Sequence, residues 1–510
     1  MKNQLILPMV LLCATNTGAK QQPKRQDVPV IIIMADQLKY DLPGSLIPNI
    51  RKIRDDGVAF TRTYCAAPLC VPSRGSFFTG LYPNHTGSFI NGWGEEDEHY
   101  SKVKSGTPNL YETMSKRWDS HHVGKQHFFT ADQIDKDPHS KTTWLTDADY
   151  KKWLKERKIP APGGKIFKAN APELISGSNT SLKSYSIPSF KEYAPGLENF
   201  TDHYYAENAI QVIAHSDPKK PLLLNTMFLA PHPPYSIPEP YFSKVEPTDF
   251  TLPDNVGVWY KGQSPLQMYS LTGFLGARYS RQQWAEIWPK YLGLVCLLDD
   301  EVGRIIDALK KQGIYDQAMI IFTADHGEML GSHSLWQKMC MYEESVHVPM
   351  IIKFPKSYTP KVKQCDIPVS LIDVWPTLID FLDIKEAGPT DGTSLMPAVR
   401  GESTGRGPVF IQYDGNGSYG SNQRCILTGN FKLFIDTFKD ELFYELYDLA
   451  KDPMETDNLA FKPESAPKVK ELFQLLKKHM NDTGDLLKFS DNSYEHFLKN
   501  YPQTKAESKE

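Results

Sequence analysis

Four stretches of the chain are largely apolar, and polar or turn-forming residues bound each of them. They cover residues 28–37, 220–235, 318–327 and 346–355. Short apolar runs between turn signals are typical of strands buried on both faces, as in parallel sheets. The pattern therefore predicts a buried, mainly parallel central sheet.

Segments with helical spacing of apolar residues lie between these predicted strands. Residues 46–57 and 288–313 carry apolar side chains at intervals of three and four, and each segment closes on a glycine. Glycine just past the last turn is a common helix stop. Alternating buried strands and helices predict an α/β fold in which helices flank the sheet.

The pattern changes near residue 405. Short strand-like segments separated by Gly and Asn turns follow, and an amphipathic segment over residues 464–480 closes the region. This predicts a smaller domain with an antiparallel sheet and one helix. We place a large N-terminal domain at 27–400, a C-terminal subdomain at 401–485 and a tail at 486–510.

Composition and charge narrow the class of protein. The chain has 510 residues, of which 40% are hydrophobic and 23% charged, as in ordinary globular proteins. This length favours a large domain with a smaller one. The formal net charge is −4, and no basic tract occurs. A nucleic-acid partner is therefore not expected.

The first twenty residues have the character of a secretory signal peptide. Lys2 precedes an apolar run over residues 5–12, and small and polar residues follow. We therefore expect a signal peptide at 1–20 and export, to the periplasm if the source is bacterial. The run is too short to span a bilayer, and no later segment predicts a transmembrane helix. Cys13 follows Leu12 rather than a small residue, so a lipid anchor at Cys13 is the less favoured alternative.

Two predicted strands end in the same way. One ends in Ala-Asp-Gln at Asp36 and Gln37, and the other in Ala-Asp-His at Asp325 and His326. Ligands of open parallel sheets lie at the carboxyl ends of the strands, so these side chains are expected to converge there. The alternative is that each aspartate only caps a turn. Two such strands together favour a divalent cation, calcium first, with magnesium or manganese as alternatives.

The segment "CAAPLCVPSRGSFFTG" contains a cysteine in an unusual setting. Cys70 follows a strand-like segment, and Pro72 fits the start of a helix that would place Arg74 in its first turn. A lone cysteine is most often a structural thiol. A cysteine-protease nucleophile would need a histidine base, and it would explain neither Arg74 nor the predicted metal site.

This segment resembles the signature of the type I sulfatases of the alkaline phosphatase-like superfamily. Further segments resemble elements of that family in the same order along the chain: "MADQ" at 34–37, "GKQH" at 124–127, "FLAPHPPY" at 228–235, "TADHGEMLGSHSLWQK" at 323–338 and "LYDLAKDPMETDNLA" at 446–460. The resemblance covers nearly the whole chain. It implies an alkaline phosphatase-like sandwich and hydrolysis of sulfate esters.

The resemblance also implies a role for individual residues. Cys70 would be oxidised to Cα-formylglycine by a maturation enzyme that reads the proline and arginine of the motif. Its hydrate would then attack sulfur. The implied metal ligands are Asp36, Gln37, Cys70, Asp325 and His326. The implied catalytic residues are Arg74, Lys125 and Lys338 on the sulfate oxygens, Asp325 as first base, His232 at the departing alcohol and His127 as second base.

Gln37 stands where many family members have a second aspartate. Choline sulfatases and phosphonate monoester hydrolases share this Asp-Gln variant. The long, weakly periodic stretches 129–205 and 233–282 are expected to form the walls of a substrate pocket. We therefore expect exo-acting desulfation of a sulfated glycan, a glycosaminoglycan fragment being one candidate. A choline-sulfatase-like enzyme, or a phosphonate or phosphodiester hydrolase, is the alternative. A non-catalytic carbohydrate-binding relative is disfavoured because the charged motif residues are all present.

Overall fold

A computed structural model describes residues 27–92, 100–176, 179–416 and 420–502. The predicted signal peptide, including Cys13, and the last eight residues lie outside the described residues. Among the residues that are described, no helix combines the length and apolar character needed to cross a bilayer.

The strands, in chain order, are β1 Val30–Asp36, β2 Val58–Tyr64, β3 Asp119–Gly124, β4 Thr142–Thr146, β5 Lys168–Ser176, β6 Asn179–Ser186, β7 Phe190–Glu192, β8 Leu222–Pro231, β9 Tyr235–Ile237, β10 Met319–Ala324, β11 His347–Lys353, β12 Gln364–Cys365, β13 Val369–Ser370, β14 Val409–Tyr413, β15 Ser421–Thr428, β16 Phe431–Phe438 and β17 Glu441–Asp448. The helices are α1 Pro48–Asp56, α2 Cys70–Thr79, α3 Pro83–Thr86, α4 Leu110–Met114, α5 Asp147–Arg157, α6 Thr201–His215, α7 Leu271–Gly276, α8 Arg281–Lys311, α9 Glu343–Val346, α10 Val374–Leu382, α11 Met396–Val399, α12 Ala466–Asp482 and α13 Ser493–Asn500.

One large sheet forms the core of the molecule. Its strand order is β12-β2-β11-β10-β1-β8-β3-β4, with β13 also paired to β2. Strand β1 runs parallel to both β8 and β10, whereas β11 runs antiparallel to β10 and β2. Every residue of β1 is buried, so the elements that pack on the sheet cover both of its faces. The predicted mixed, mainly parallel sheet flanked by helices is confirmed.

A second, four-stranded antiparallel sheet, in the order β14-β15-β16-β17, forms the smaller C-terminal part. Helix α12 packs on it through buried residues that include Leu472 and Phe473. The predicted antiparallel sheet and its helix are therefore confirmed.

Helix α13 is an addition to this prediction. It lies in the segment interpreted as a tail, yet Phe497 is fully buried, and its ring lies 5.0 Å from that of Phe443. The helix is short, and polar and charged residues surround its few apolar positions. The position of this helix in the core therefore depends on tertiary contacts, which the local sequence pattern does not predict.

The stretch 129–205 is more regular than its sequence suggested. It contains α5, the hairpin β5–β6, whose strands pair from Lys168 and Ser186 inward, and the start of α6. Lysines and serines are mixed along the hairpin, so neither face has the clean apolar alternation of a core strand.

Buried contacts tie the C-terminal sheet to the loop that follows β10. Lys432 on β16 is fully buried and pairs with Glu343 at 2.9 Å and with Glu455 at 2.5 Å. The side-chain amide of Gln423 donates to the backbone oxygen of Met339 at 3.4 Å. The C-terminal part therefore helps to fix a loop that reaches the large sheet's carboxyl edge.

Candidate active site

The two Ala-Asp strand ends meet at one edge of the large sheet. Strands β1 and β10 are adjacent and parallel, and Ala35 lies opposite Ala324 in their register. Asp36 and Asp325 therefore emerge side by side. The backbone N–H of Gln37 donates to Asp325 Oδ1 at 3.1 Å. The predicted convergence of these strand ends is present in the structure.

Cys70 is the first residue of α2, and this places its side chain at the same edge. The residue is 1% exposed. Its Sγ lies 3.1 Å from His326 Nε2, 3.9 Å from Asp36 Oδ1 and 3.9 Å from Lys125 Nζ. Because Cys70 begins α2, as predicted, its side chain lies next to both strand ends and to the ammonium group of Lys125.

The electrostatic setting of Cys70 differs from that of the other described cysteines. Burial and Asp36 raise the pKa of its thiol, but Lys125, Lys338 and His326 outweigh them and leave the pKa lowered. Burial raises the pKa of the other five, which are Cys65, Cys296, Cys340, Cys365 and Cys425. A thiol with only a structural role does not require nearby cations that lower its pKa.

Four side chains form a compact group that could hold a metal ion. One potential ligand atom from each of Asp36, Cys70, Asp325 and His326 lies within 4.8 Å of the others. The Nδ1 of His326 faces the backbone oxygen of Gly327 at 3.0 Å, so the proton is assigned to Nδ1 and the Nε2 lone pair faces the group. Two carboxylates and one imidazole nitrogen fit a divalent cation.

Gln37 is held in place by two charged side chains. Its carboxamide nitrogen donates to Glu328, and its oxygen accepts from Lys338 Nζ at 2.6 Å. Glu328 is fully buried and also accepts from the backbone N–H groups of Leu330 and Gln337, both at 2.8 Å. Sequence reasoning missed Glu328, although it lies inside the motif string, three residues after Asp325. The role of Gln37 as a metal ligand stays a prediction.

Arg74 bridges the two strand-end carboxylates. Its Nε donates to Asp325 Oδ2 and its terminal nitrogen to Asp36 Oδ2, both at 2.9 Å. Burial alone would raise the pKa of Asp36, but the positive charges of Lys125 and Arg74 hold it well below its usual value. The guanidinium therefore orients and neutralises the carboxylates in this structure. Its predicted contact with sulfate oxygens stays a prediction.

A cleft of about 470 Å³ opens over Cys70. Four other predicted catalytic residues line it: Lys125, His127, His232 and Lys338. The Nζ of Lys125 donates to Asp36 Oδ2 at 2.6 Å, and that of Lys338 lies 3.1 Å from His232 Nε2. The structure thus brings the predicted residues together around one space, although Arg74 lies behind its wall.

Both histidines of the cleft are neutral near pH 7. Burial, followed by Lys338 and Lys125, lowers the pKa of His232 well below its usual value. Burial, Lys125 and Arg74 do the same for His127. The Nδ1 of His232 faces the backbone oxygen of Pro233 at 2.5 Å, so its Nε2 accepts from Lys338. The neutral imidazole of His127 can accept a proton, which is the property required of a general base, whereas in the Lys338–His232 pair the lysine ammonium is the proton donor.

Sequence reasoning did not single out the remaining wall residues. They are Asn91, Gln337, Asn416 and the hairpin residues Lys168, Lys183, Ser184, Tyr185 and Ser186. The only available signal was their place in, or close to, the weakly periodic stretches and motif segments. No motif distinguishes these lysines from the many others on the surface.

The large mixed sheet, with carboxylates clustered at its carboxyl edge, is characteristic of the alkaline phosphatase-like class. A family model described as "Sulfatase" matches residues 29–384, and a second, "N-sulphoglucosamine sulphohydrolase, C-terminal", matches residues 331–483. The chain therefore belongs to the sulfatase family, and it is a sulfuric ester hydrolase. The resemblance found in the sequence is confirmed.

Individual relatives cover most of the chain. A choline-sulfatase of Rhizobium meliloti is 28% identical over 461 residues, which span 85% of this chain and 82% of the relative. An N-acetylglucosamine-6-O-sulfatase of Bacteroides thetaiotaomicron is 24% identical over 94% of this chain and 91% of the relative. The solved structure of a phosphonate monoester hydrolase of Agrobacterium radiobacter superposes with a TM-score of 0.69 at 24% identity, covering 89% of this chain and 96% of that one. At this identity the structural likeness establishes the fold alone.

Proposed function

We propose that this protein removes a sulfate ester from a sulfated glycan, acting on a terminal sugar, with formylglycine at position 70 as the nucleophile. The observation that carries the proposal is the position of Cys70 at the base of a cleft whose charged wall residues are cationic. Membership of the sulfatase family supports the reaction. The relative named as an N-acetylglucosamine-6-O-sulfatase supports a sugar substrate.

Asp36, Gln37, Asp325 and His326, together with the modified residue 70, would hold one divalent cation. Calcium is favoured because carboxylate and amide oxygens are hard ligands, and His326 leaves magnesium and manganese as alternatives. The bound ion would supply Lewis-acid polarisation of the nucleophile and of a sulfate oxygen. Arg74 pairs with both carboxylates at 2.9 Å and so orients them for this purpose.

In the first step, one hydroxyl of the hydrated aldehyde at position 70 attacks sulfur. Asp325 accepts the proton of that hydroxyl, and the bond between sulfur and the ester oxygen breaks. Lys125 and Lys338 contact the sulfate oxygens as negative charge shifts onto the leaving oxygen. The Lys338–His232 pair supplies a proton to the departing alcohol, because Lys338 already donates towards His232 Nε2.

In the second step, the sulfated hydrate collapses. His127 accepts the proton of the remaining hydroxyl, the carbon–oxygen bond to sulfate breaks, and the aldehyde is restored. His127 suits this role because it lines the cleft and its Nδ1 has no hydrogen-bond partner among the described residues. A serine hydroxyl could not leave in this way, since it has no second hydroxyl to expel the sulfate.

Replacement of His127 by alanine is expected to stop the cycle after the first step. One equivalent of alcohol should be released rapidly, and the sulfated enzyme should then accumulate. Steady-state turnover should fall by about 10²–10⁴-fold, the usual contribution of a general base. Rapid-quench kinetics and intact-protein mass spectrometry would follow the burst and the added sulfo group. A variant that loses the burst as well as turnover would contradict this role.

The buried position of Cys70 supports modification before folding is complete. A side chain that is 1% exposed is closed to a maturation enzyme in the folded protein. We therefore propose a formylglycine-generating enzyme that acts on the unfolded segment. Export through the signal peptide at 1–20, to the periplasm in a bacterium, is consistent with the processing of extracellular glycans. We also retain a boundary near residue 400 between the catalytic domain and the C-terminal subdomain.

The size of the cleft supports the proposal of exo-action. A volume of about 470 Å³ lies at the small end of the range for ligand pockets, which is about 300–1,000 Å³. The hairpin β5–β6 forms one wall of the space above Cys70. Such a cleft admits the end of a chain more readily than a residue within it.

A sulfate-release screen tests the proposal. Oligosaccharides that differ only in sulfate position, linkage and chain end should be compared with choline sulfate, an aryl sulfate and a phosphonate monoester. We expect a terminally sulfated sugar to give the highest kcat/KM, and aryl sulfates to be poor because they lack remote contacts. Faster hydrolysis of choline sulfate or of the phosphonate than of every glycan would overturn the glycan assignment and favour the Asp-Gln alternatives.

A further inference from the structure

The hairpin β5–β6, here called the cleft hairpin, is fixed relative to the reacting centre. The indole N–H of Trp336 donates to the backbone oxygen of Ser186 at 2.9 Å, and the side-chain amide of Gln337 donates to the same oxygen at 3.4 Å. Gln337 immediately precedes Lys338. These hydrogen bonds therefore anchor the base of the hairpin to the segment that carries the lysine predicted to hold sulfate.

Among the residues that the structure describes, the charged side chains that line the cleft are all of one sign. They are four lysines, and the described lining contains no aspartate or glutamate. The two inner lysines, Lys125 and Lys338, bond to Asp36 and Gln37 and so belong to the reacting centre. The two outer lysines, Lys168 and Lys183, come from the cleft hairpin.

The register of the hairpin shows where the outer lysines lie. Lys183 pairs with Ala171, and Tyr185 with Ala169, so these four share one face. Ala171 and Tyr185 are buried and Lys183 is half-buried, so this face is turned towards the protein body. Lys168 lies on the other face, pairs with Ser186 and is exposed. The lysines therefore present one sheltered and one solvent-facing cation beside the space above Cys70.

We propose that Lys168 and Lys183 bind a second anionic group of the substrate, a sulfate or a carboxylate, while the ester sulfate is held at Cys70. This inference rests on the proposed sulfatase reaction and names its substrate class: a sugar that carries at least two negative charges. The inner lysines, Lys125 and Lys338, already supply positive charge for the reacting sulfate. Two further cations, in a cleft whose described wall carries no acidic residue, attract additional negative charge and disfavour a cationic alcohol such as choline.

The test compares matched substrates on matched variants. Lys168→Gln, Lys183→Gln and the double variant remove the outer charges. Lys165→Gln is the control, because Lys165 is exposed near the start of the hairpin and does not line the cleft. Each substrate pair should contain the same sulfated hexosamine, once alone and once with a second anion. In one arm the second anion is another sulfate, and in the other it is the carboxylate of a linked uronic acid.

We expect the double variant to lower kcat/KM for the doubly charged substrates by about tenfold or more, as for loss of a charge-assisted contact. The singly charged substrates should change by less than about twofold, the usual effect of a remote exposed charge. The Lys165 control should behave as the wild type, and Lys183→Arg should retain the preference. The arm in which the loss occurs identifies the second anion as sulfate or carboxylate.

Equal losses on singly and doubly charged substrates, or no loss on either, would overturn the inference and leave the glycan sulfatase assignment intact. If the enzyme hydrolysed choline sulfate but none of the glycans, the proposed function would be refuted. The proposed second-anion site would then be refuted as well. The two failures are therefore distinguishable in a single set of assays.

Discussion

Replacement of Cys70 by alanine is expected to abolish sulfate release, with a loss of at least about 10³-fold, while the protein remains folded. Alanine cannot become formylglycine, so no hydroxyl is present to attack sulfur and no covalent intermediate forms. The change removes one sulfur atom at the first residue of α2 and leaves the hydrogen bonds of the helix untouched. Sulfate-release assays and thermal unfolding would measure the two effects separately.

Cys65→Ala is the matched control for this substitution. Cys65 is fully buried and lies five residues earlier, but burial raises its pKa, and it does not line the cleft. The control should retain activity. Mass spectrometry of the peptide containing position 70, from enzyme made in its native host, should show an aldehyde or its hydrate. An unmodified thiol in fully active enzyme would refute the formylglycine proposal.

Asp325→Asn is expected to remove the bound metal and activity together, again by about 10³-fold or more in kcat/KM. Asp325 accepts hydrogen bonds from Arg74 Nε and from the backbone N–H groups of Gln37 and His326. Asparagine keeps the size of the side chain but loses one negative charge from a cation site with few anionic ligands. The first base of the proposed reaction is lost as well. Elemental analysis of purified protein measures the metal independently of turnover.

Asp373→Asn separates loss of the metal from loss of a buried ion pair. Asp373 is fully buried and pairs with Arg406 at 2.7 Å, much as Asp325 pairs with Arg74, but it lies outside the site. The control should lower thermal stability and keep both the metal and activity. Active wild-type protein without bound metal would overturn the cation proposal. An Asp325→Asn protein with full metal content and unchanged activity would do the same.

The sequence was enough to predict that these side chains converge, because neighbouring strands position them. Asp36 ends one strand with a continuous buried pattern, and Asp325 directly follows another. Parallel neighbours in one sheet deliver their carboxyl ends to the same edge. Cys70 was found through a local motif that also marks the start of α2. Where a short pattern fixes both the element and the chemistry, the sequence is sufficient.

Other features depend on contacts between segments that are far apart in sequence. Arg74 faces the two carboxylates rather than the cleft, because its helix packs over the paired ends of β1 and β10. Glu328 orients Gln37 across a separation of 291 residues. No local hydrophobic pattern predicts such pairings, because they form only when segments that are distant in sequence pack together.

Local patterns along the chain were enough to predict the α/β class, the central strands, the family and the motif residues near Cys70. The antiparallel direction of β11, the packing of α13 into the C-terminal core and the position of Lys168 and Lys183 beside the cleft became visible only in the folded protein. The difference lies in how far apart in sequence the contacting residues are. A continuous apolar strand that will be buried can be recognised from adjacent residues alone. The direction of a strand, the docking of a short helix and the side chains of a hairpin are set by which distant surfaces they can cover.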